Sequence, residues 1–331
     1  MCAKPDPTRG FEVDDQPFRL GDHESYWIGK DLMAGALNRR NFLLLAASVV
    51  VLILIAGYRP AVPLKRQPID KPIRFLADNA IKGSDVTLKP GVTLLIGEIH
   101  GTWEIPIAVA SLVRQALNTE NEAILCVEVP ETEQASIDRF LISDGKDRAI
   151  NDLLRTPFWV GQDGRSSVGM FAMLELIRRL RSSGHQVHVQ AIDFDWARKP
   201  RDASAYYRDQ AMAENLLQAR KKSPEAILIA LAGNVHTKTA KGTSWDEEYL
   251  PMGWFVSQSL PNLSSFNIQI AGGDAWVMTE QGAGKTAMNG RDQGDDPFLR
   301  INDTHETGYN GVFYIGRVSA AHPVLKVVAG R

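Results

Sequence analysis

Glu98, His100 and Glu104 stand together in GEIHGTWE, directly after the apolar run VTLLI. A carboxylate and an imidazole two residues apart, released from a buried strand into a turn bounded by Gly97 and Gly101, can face one crevice without backbone strain. In that setting the carboxylate orients the imidazole and steadies its cation while the imidazole takes a proton. Three more apolar runs end the same way: AILCVEV delivers Glu128, HVQAIDF delivers Asp193, with Asp195 beyond it, and AILIALAG is followed by Asn234 and His236. Gly-x-x-His therefore occurs twice, at 97–100 and at 233–236, each time behind an apolar run. The stretch YYRDQAMAENLL opens a helix with Arg208 and Asp209. Arg can hold a carboxylate or an oxyanion through parallel hydrogen bonds, and Asp in a first turn can satisfy free helix N–H groups.

This set suits hydrolysis of an ester, lactone or amide. His100 is the expected base toward water, Glu98 or Glu128 fixes its ring, and Arg208 and His236 face the developing oxyanion. Glu104, Asp193, Asp209 and Asn234 are expected to contact substrate. No Ser sits in a Gly-x-Ser-x-Gly turn, so direct attack by water is favoured over a covalent intermediate. A divalent metal held by His100, His236, Glu98 and Glu128 is a variant of the same chemistry, since mixed His and carboxylate donors suit zinc, manganese or iron.

The elements that must position these groups follow from periodicity. Apolar runs without alternation at 93–97, 123–129 and 226–233 are interleaved with amphipathic stretches at Ile105–Leu117, Ala135–Ile142, Met170–Arg181, Ala205–Arg220 and Tyr249–Leu260. A strand pair is expected around FNIQIAG and GVFYIGRV. The pattern predicts an α/β fold, a mainly parallel central sheet with helices on both faces, whose ligands lie beyond the carboxyl ends of the strands. Two stretches fall outside the rhythm: Asp144–Val168, containing FWVGQDGRSS, reads as a lid or insertion, and Gly282–Asn310 as a solvated loop. GAGKT at Gly282–Thr286 ends like a phosphate-binding loop, but Thr279 stands where that motif needs its first Gly.

With 44% hydrophobic and 23% charged residues, 331 residues suffice for one large α/β domain with appendages. The near balance of 37 basic and 39 acidic residues offers no field for nucleic acid, and a small-molecule substrate is the expected partner. Cys2 and Cys126 are the two cysteines; Cys126 lies inside an apolar run and reads as a buried free thiol. The run FLLLAASVVVLILIAG, Phe42–Gly57, follows Arg39 and Arg40 and is polar only at Ser48. It is at the short end of the range that spans a bilayer, and in the range of a signal-peptide core. Residues 1–40 read as a disordered cytoplasmic tail, 41–58 as a transmembrane anchor or signal helix, 59–90 as a linker with a short strand near Ile73–Leu76, and 91–331 as the α/β domain. A single pass through a bacterial-type inner membrane would leave that domain in the periplasm. NRRNFLLLA also resembles a twin-arginine export signal, the alternative route there.

GEIHGTWE resembles the GE-x-x-HGT-x-E segment of erythromycin esterases, although one residue separates Glu98 from His100 where that family has two. RDQAMAEN is similar to their RD-x-x-MAEN segment, and GNVH to the G-N-x-H or G-x-G-H turn of ChaN-like haem-binding proteins. The matches run from about Leu94 to Thr239 in the order found in that superfamily. Its Tiki and TraB-like members use Gly-x-x-His and Glu-x-x-x-Arg for metals; here the obvious Glu-x-x-x-Arg, Glu175 to Arg179, lies mid-helix among Leu and Ile. The resemblance implies either a hydrolase or a ChaN-like haem-binding protein without catalysis. In the second case Tyr206 and Tyr207 stand available as iron ligands.

Overall fold

A computed structural model describes residues 64–78, 80–119, 122–301 and 308–327. The expected tail and the apolar run Phe42–Gly57 lie outside the described residues. Among those described, no helix is long and apolar enough to cross a membrane.

The main sheet has seven strands in the order β4-β3-β5-β2-β6-β10-β9, from β2 (Thr93–Glu98), β3 (Glu122–Pro130), β4 (Gln186–Asp193), β5 (Ile227–Gly233), β6 (Leu263–Gln269), β9 (Phe298–Ile301) and β10 (Gly311–Tyr314). Every pairing is parallel except that of the edge strand β9 with β10. The central strands are apolar through their middles because both faces are covered. Leu94, Ile96, Leu125, Val127, Ile229 and Leu231 join one core with helices α2 (Glu104–Thr119) and α5 (Val168–Ser182). Leu95, Ile124, Cys126, Leu228 and Ala230 join the opposite core, with α6 (Tyr207–Lys222) and α7 (Met252–Ser257). Successive strand residues point to opposite faces, so one apolar run supplies both cores.

The connection through α2 carries the chain from β2 to β3, two places away, and the connection through α6 brings it back from β4 to β5, which fills the gap between them. Right-handed crossovers running in opposite directions put their helices on opposite faces. The reversal leaves the carboxyl ends of β4, β3, β5 and β2 side by side, where such sheets bind ligands. α3 (Gln134–Leu141) and α4 (Asp147–Leu154) lie between β3 and α5 in sequence, and α5 starts on Ser167, whose Oγ accepts from Met170 N.

Three expectations need correction. Gly282–Asn310 is not simply a loop. It contains β8 (Gly282–Asn289), which closes an antiparallel hairpin on β7 (Gly272–Thr279), and then β9. The small residues of GAGKTAMN carry no apolar signature, and the ladder to β7 supplies what their side chains do not. The GAGKT segment is thus strand, with none of the loop-to-helix geometry a phosphate needs. The last amphipathic stretch is helical only over Met252–Ser257, because Pro251 disfavours helical geometry at Leu250. Within the expected linker no strand forms at 73–76. Instead β1 (Leu64–Arg66) pairs with β12 (Leu325–Val327), and Ile69, Ile73, Phe75 and Leu76 pack on the core. Leu76 N donates to Ser111 Oγ, and Arg179 Nη1 donates to Ile73 O.

Candidate active site

The sheet register sets the floor of the site. Glu98, the last residue of β2, is paired with Gly233, the last of β5. On the far side of β5, β3 delivers Glu128 where its register with β4 shifts between Val127 and Pro130. Such an irregularity re-aims a side chain at the end of a ladder. β4 ends in Asp193. Glu98, Glu128 and Asp193 are all buried, at 4%, 2% and 1% exposure, so each must be compensated. Gly233 lies between them with little room for a side chain: a Cβ there would be 3.2 Å from His100 Nε2 and 3.4 Å from Glu128 Oε2, so the site groups would have to shift slightly. Its N–H donates to Glu128 Oε2 at 2.7 Å.

His100 faces two of these carboxylates. Its Nδ1 is 3.0 Å from Glu98 Oε2, and its Nε2 is 3.6 Å from Glu128 Oε2. Nδ1 therefore carries a proton donated to Glu98, leaving Nε2 as the reactive nitrogen. Burial pulls the imidazole pKa down, but the charges of Glu98 and Glu128 and the hydrogen bond to Glu98 outweigh it and raise the pKa to about 9, against a smaller opposing effect from Arg165. A quarter of the side chain, 25%, stays exposed. Burial works to raise the pKa of Glu128, yet the charges of His100 and Arg208 and the Gly233 N–H hold it well below the usual carboxylate range.

Arg208, in the first turn of α6, is the hub of the buried half. It grips Asp193 with Nε at 2.9 Å and Nη2 at 2.8 Å, reaches Glu128 Oε1 with Nη2 at 2.5 Å, and places Nη1 3.0 Å from His236 Nε2. A guanidinium has no acceptor, so His236 Nε2 must accept and the ring proton sits on Nδ1. That Nδ1 donates to Asp209 Oδ1 at 2.7 Å. Asp209, only 2% exposed, also accepts from Met252 N at 2.8 Å and from the Tyr249 hydroxyl at 2.6 Å. Burial, with the hydrogen bond to Asp209, pushes the Tyr249 pKa up and keeps the hydroxyl protonated as a donor.

The fold therefore gathers Glu98, His100, Glu128, Asp193, Arg208, Asp209 and His236 into one connected cluster. It leaves out Glu104 and Asn234. Glu104 accepts from Ser319 N and Ser319 Oγ and from Lys71 Nζ, and two surface hollows of 620 and 740 Å³ adjoin it on the side of those residues. Asn234 takes part through its backbone: its N donates to Glu98 O, and its O accepts from the Tyr309 hydroxyl. Asp195 caps the short turn Trp196–Arg198. Cys126 is fully buried, and burial pushes its thiol pKa up to about 12, with Arg220 opposing, as suits an inert core residue.

Three participants were not anticipated: Arg165, Asp163 and Tyr249. Arg165 Nη1 is 3.5 Å from Asp193 Oδ2 and 3.7 Å from Glu128 Oε1, and Asp163 holds the other side of the same guanidinium at 2.7 Å. Asp-Gly-Arg inside the off-rhythm stretch FWVGQDGRSS was the available signal. That stretch is an insertion feeding the site.

The residues do not fit a bound metal. Both nitrogens of His236 are taken, His100 Nδ1 is held by Glu98, and the Arg208 guanidinium occupies the space between His236 and Glu128 where a second cation would be repelled. Among the described residues no group of three or more His, Cys, Asp and Glu is arranged to hold an ion. A haem fits no better. His100 Nε2 opens onto carboxylate rather than an apolar slab, the Tyr206 hydroxyl faces Asp246, and the Tyr207 ring packs edge-on against Phe194.

No protein-family model matches the sequence, and no curated protein matches it. Among solved structures, the chain is similar to an erythromycin esterase variant in its open conformation, with a TM-score of 0.53 and 11% identity over 70% of this chain and 92% of that one. It is also similar to a Bacillus cereus protein, with a TM-score of 0.57 and 12% identity over 82% of this chain and 98% of that one. The fold is the one seen in erythromycin esterase.

Proposed function

We propose that this chain is a hydrolase of esters, lactones or amides that works by direct water attack, with His100 as general base. The observation that carries the reading is the His100 ring itself. One nitrogen is anchored on a buried carboxylate; the other makes no hydrogen bond among the described residues, lying 3.6 Å from Glu128 Oε2, in a side chain that is 25% exposed. His100 Nε2 removes a proton from water as the water oxygen bonds to the carbonyl carbon, and the carbonyl π pair moves onto oxygen. When that pair re-forms the double bond, the C–O or C–N bond breaks and the imidazolium returns its proton to the leaving group. Glu98 stabilises the cation in between. The likeness in fold to an erythromycin esterase supports a lactone or ester over an amide as the first class to try.

The same reading keeps the membrane assignment as a proposal supported by sequence. Residues 42–57 would anchor the chain in a bacterial-type inner membrane, with the α/β domain on the periplasmic side meeting small-molecule substrates there.

The test is a panel of p-nitrophenyl esters, macrocyclic and simple lactones and p-nitroanilides, offered to the detergent-solubilised full chain and to its His100→Ala variant. The wild type should cleave at least one class. His100→Ala should lose about 10²-fold or more of that rate. Because that change also leaves buried Glu98 without its hydrogen-bond partner, His100→Asn, whose amide can still donate there, should show the same loss with a thermal midpoint within a few degrees of wild type. Equal rates in the two proteins would refute the assignment.

A further inference from the structure

We propose that Arg165, not Arg208, is the catalytic residue that receives the oxyanion; the inference rests on the hydrolase reading above. The two guanidiniums border the same pair of carboxylates but differ in what they have left to give. A guanidinium carries five N–H donors. Four of Arg208's are committed: one from Nε and one from Nη2 to Asp193, one from Nη2 to Glu128 and one from Nη1 to His236. To meet a substrate oxygen through these groups, Arg208 would have to abandon two buried carboxylates. Arg165 commits Nε and Nη2 to Asp163, at 2.8 and 2.7 Å. Among the described residues, its Nη1 has only the contacts at 3.5 and 3.7 Å to Asp193 and Glu128, at or beyond the limit of hydrogen bonding, and the side chain is 32% exposed.

The placement is also right relative to the base. Glu128 presents Oε2 toward His100 Nε2 and Oε1 toward Arg165 Nη1, so acceptor and donor flank one carboxylate, and both side chains are part-exposed, at 25% and 32%. A water hydrogen-bonded to His100 and a carbonyl oxygen hydrogen-bonded to Arg165 would each stand about 3 Å from their partners. The carbonyl π pair that moves onto oxygen as water adds is then met by the Nη1 N–H groups, and returns when the leaving group departs.

The loop that carries Arg165 is built to hold still. Asp163 Oδ1 accepts the Arg165 backbone N–H at 3.2 Å, and Ser166 Oγ donates to Gly161 O at 2.6 Å. Gly164, at φ 92°, packs so tightly that a Cβ would come within 2.3 Å of Trp276 O and 3.0 Å of Gly101 N. Trp276 in turn donates from its backbone N to Gly101 O and from its indole to Gln162 O. Gly101 directly follows His100. The turn bearing the base and the loop bearing Arg165 are thus joined through Trp276 of β7, by its backbone on one side and its indole on the other, and a donor fixed before the reaction is what electrostatic stabilisation of an oxyanion requires.

The experiment compares wild type, His100→Ala, Arg165→Met and Arg165→Ala full-length protein on p-nitrophenyl butyrate, and measures binding of methyl p-nitrobenzylphosphonate, a tetrahedral anion that needs no turnover. Arg165→Met should lower kcat by about 10²- to 10³-fold with KM nearly unchanged, and weaken phosphonate binding by a similar factor. Its thermal midpoint should stay within a few degrees of wild type, and guanidinium chloride should restore part of the Arg165→Ala rate. If Arg165→Met does not fold, Arg165→Lys replaces it, keeping the charge but losing the fork, and the same kcat loss is expected. An Arg165 variant that retains kcat within about threefold, while His100→Ala is inactive, overturns this inference and leaves the hydrolase standing. Wild type that neither cleaves the ester nor binds the phosphonate, or His100→Ala with the wild-type rate, overturns both.

Discussion

The turns Gly97–His100 at the end of β2 and Gly233–His236 at the end of β5 share the pattern Gly-x-x-His and lie on adjacent parallel strands, yet their imidazoles are held differently. His100 is held at one nitrogen by Glu98, makes no hydrogen bond among the described residues at the other, and has 25% of its side chain exposed. His236 is held at both nitrogens, by Asp209 and by Arg208, with 14% exposed. The difference arises in the neighbours. The first turn has a buried carboxylate two residues before its His. The second faces the amino end of α6, whose first turn presents an Arg and an Asp together. An imidazole held at one end can exchange its proton with substrate; one held at both ends is a strut that aims a guanidinium. The motif specifies the residue, and its partners specify the duty.

The comparison breaks most visibly if the strut side is not structural. Arg208→Met would leave Glu128 and Asp193 buried without their main cation, and should destabilise the protein by about 3–5 kcal/mol in urea unfolding. A loss under about 1 kcal/mol, the size of an exposed ion pair, would mean that the buried half is not held as described.

A pH series sharpens the open side. Because the carboxylates raise the His100 pKa from 6.5 to about 9, the neutral base is scarce at pH 7. kcat/KM should climb about tenfold per pH unit from 7 and level off above about 9. The sign for stability is opposite. The imidazolium's attraction to Glu98 and Glu128 is fully present below 6.5 and is lost as pH rises through about 9, so this contribution to the thermal midpoint declines over the interval in which activity rises. Glu98→Gln should move the activity midpoint down. A midpoint near 6.5 in the wild type would show that the carboxylates do not act on His100.

The smallest of these effects tests the strut alone. His236→Ala orphans one acceptor of Asp209 and one donor of Arg208, and should destabilise the chain by about 1–3 kcal/mol. His100→Asn, which keeps a donor for buried Glu98, should leave the thermal midpoint nearly unchanged. The pair of variants reverses if the roles have been exchanged: His236→Ala stable but inactive, His100→Asn unfolded.

Much of the scaffold was legible from the chain. Runs such as LLIG, AILCV and ILIALA are apolar at every position, which only a strand covered on both faces tolerates, so a parallel sheet and the helices between its strands followed. Polar residues ending those runs marked the ligand edge, and Glu98, His100, Glu128, Asp193 and His236 were visible there as candidates. The hairpin β7–β8 was not visible, because GAGKTAMN has no periodic apolar face and its order comes from backbone pairing with a strand it meets only in the fold. Nor was the short reach of α7, set by a single Pro.

By itself, then, the sequence determined which groups end the strands, since burial of a strand and its polar exit are written in consecutive residues. Only the tertiary structure decided what each group does. Arg165 lies 37 positions from Glu128, and Arg208 lies 28 from His236. Whether such a guanidinium is saturated or free depends on contacts between distant segments, and Gly233 matters because three other side chains converge on the space above it. Periodicity reports the burial of one element at a time. The division of donors among buried carboxylates is a property of how the elements meet, and no local pattern in the chain records it.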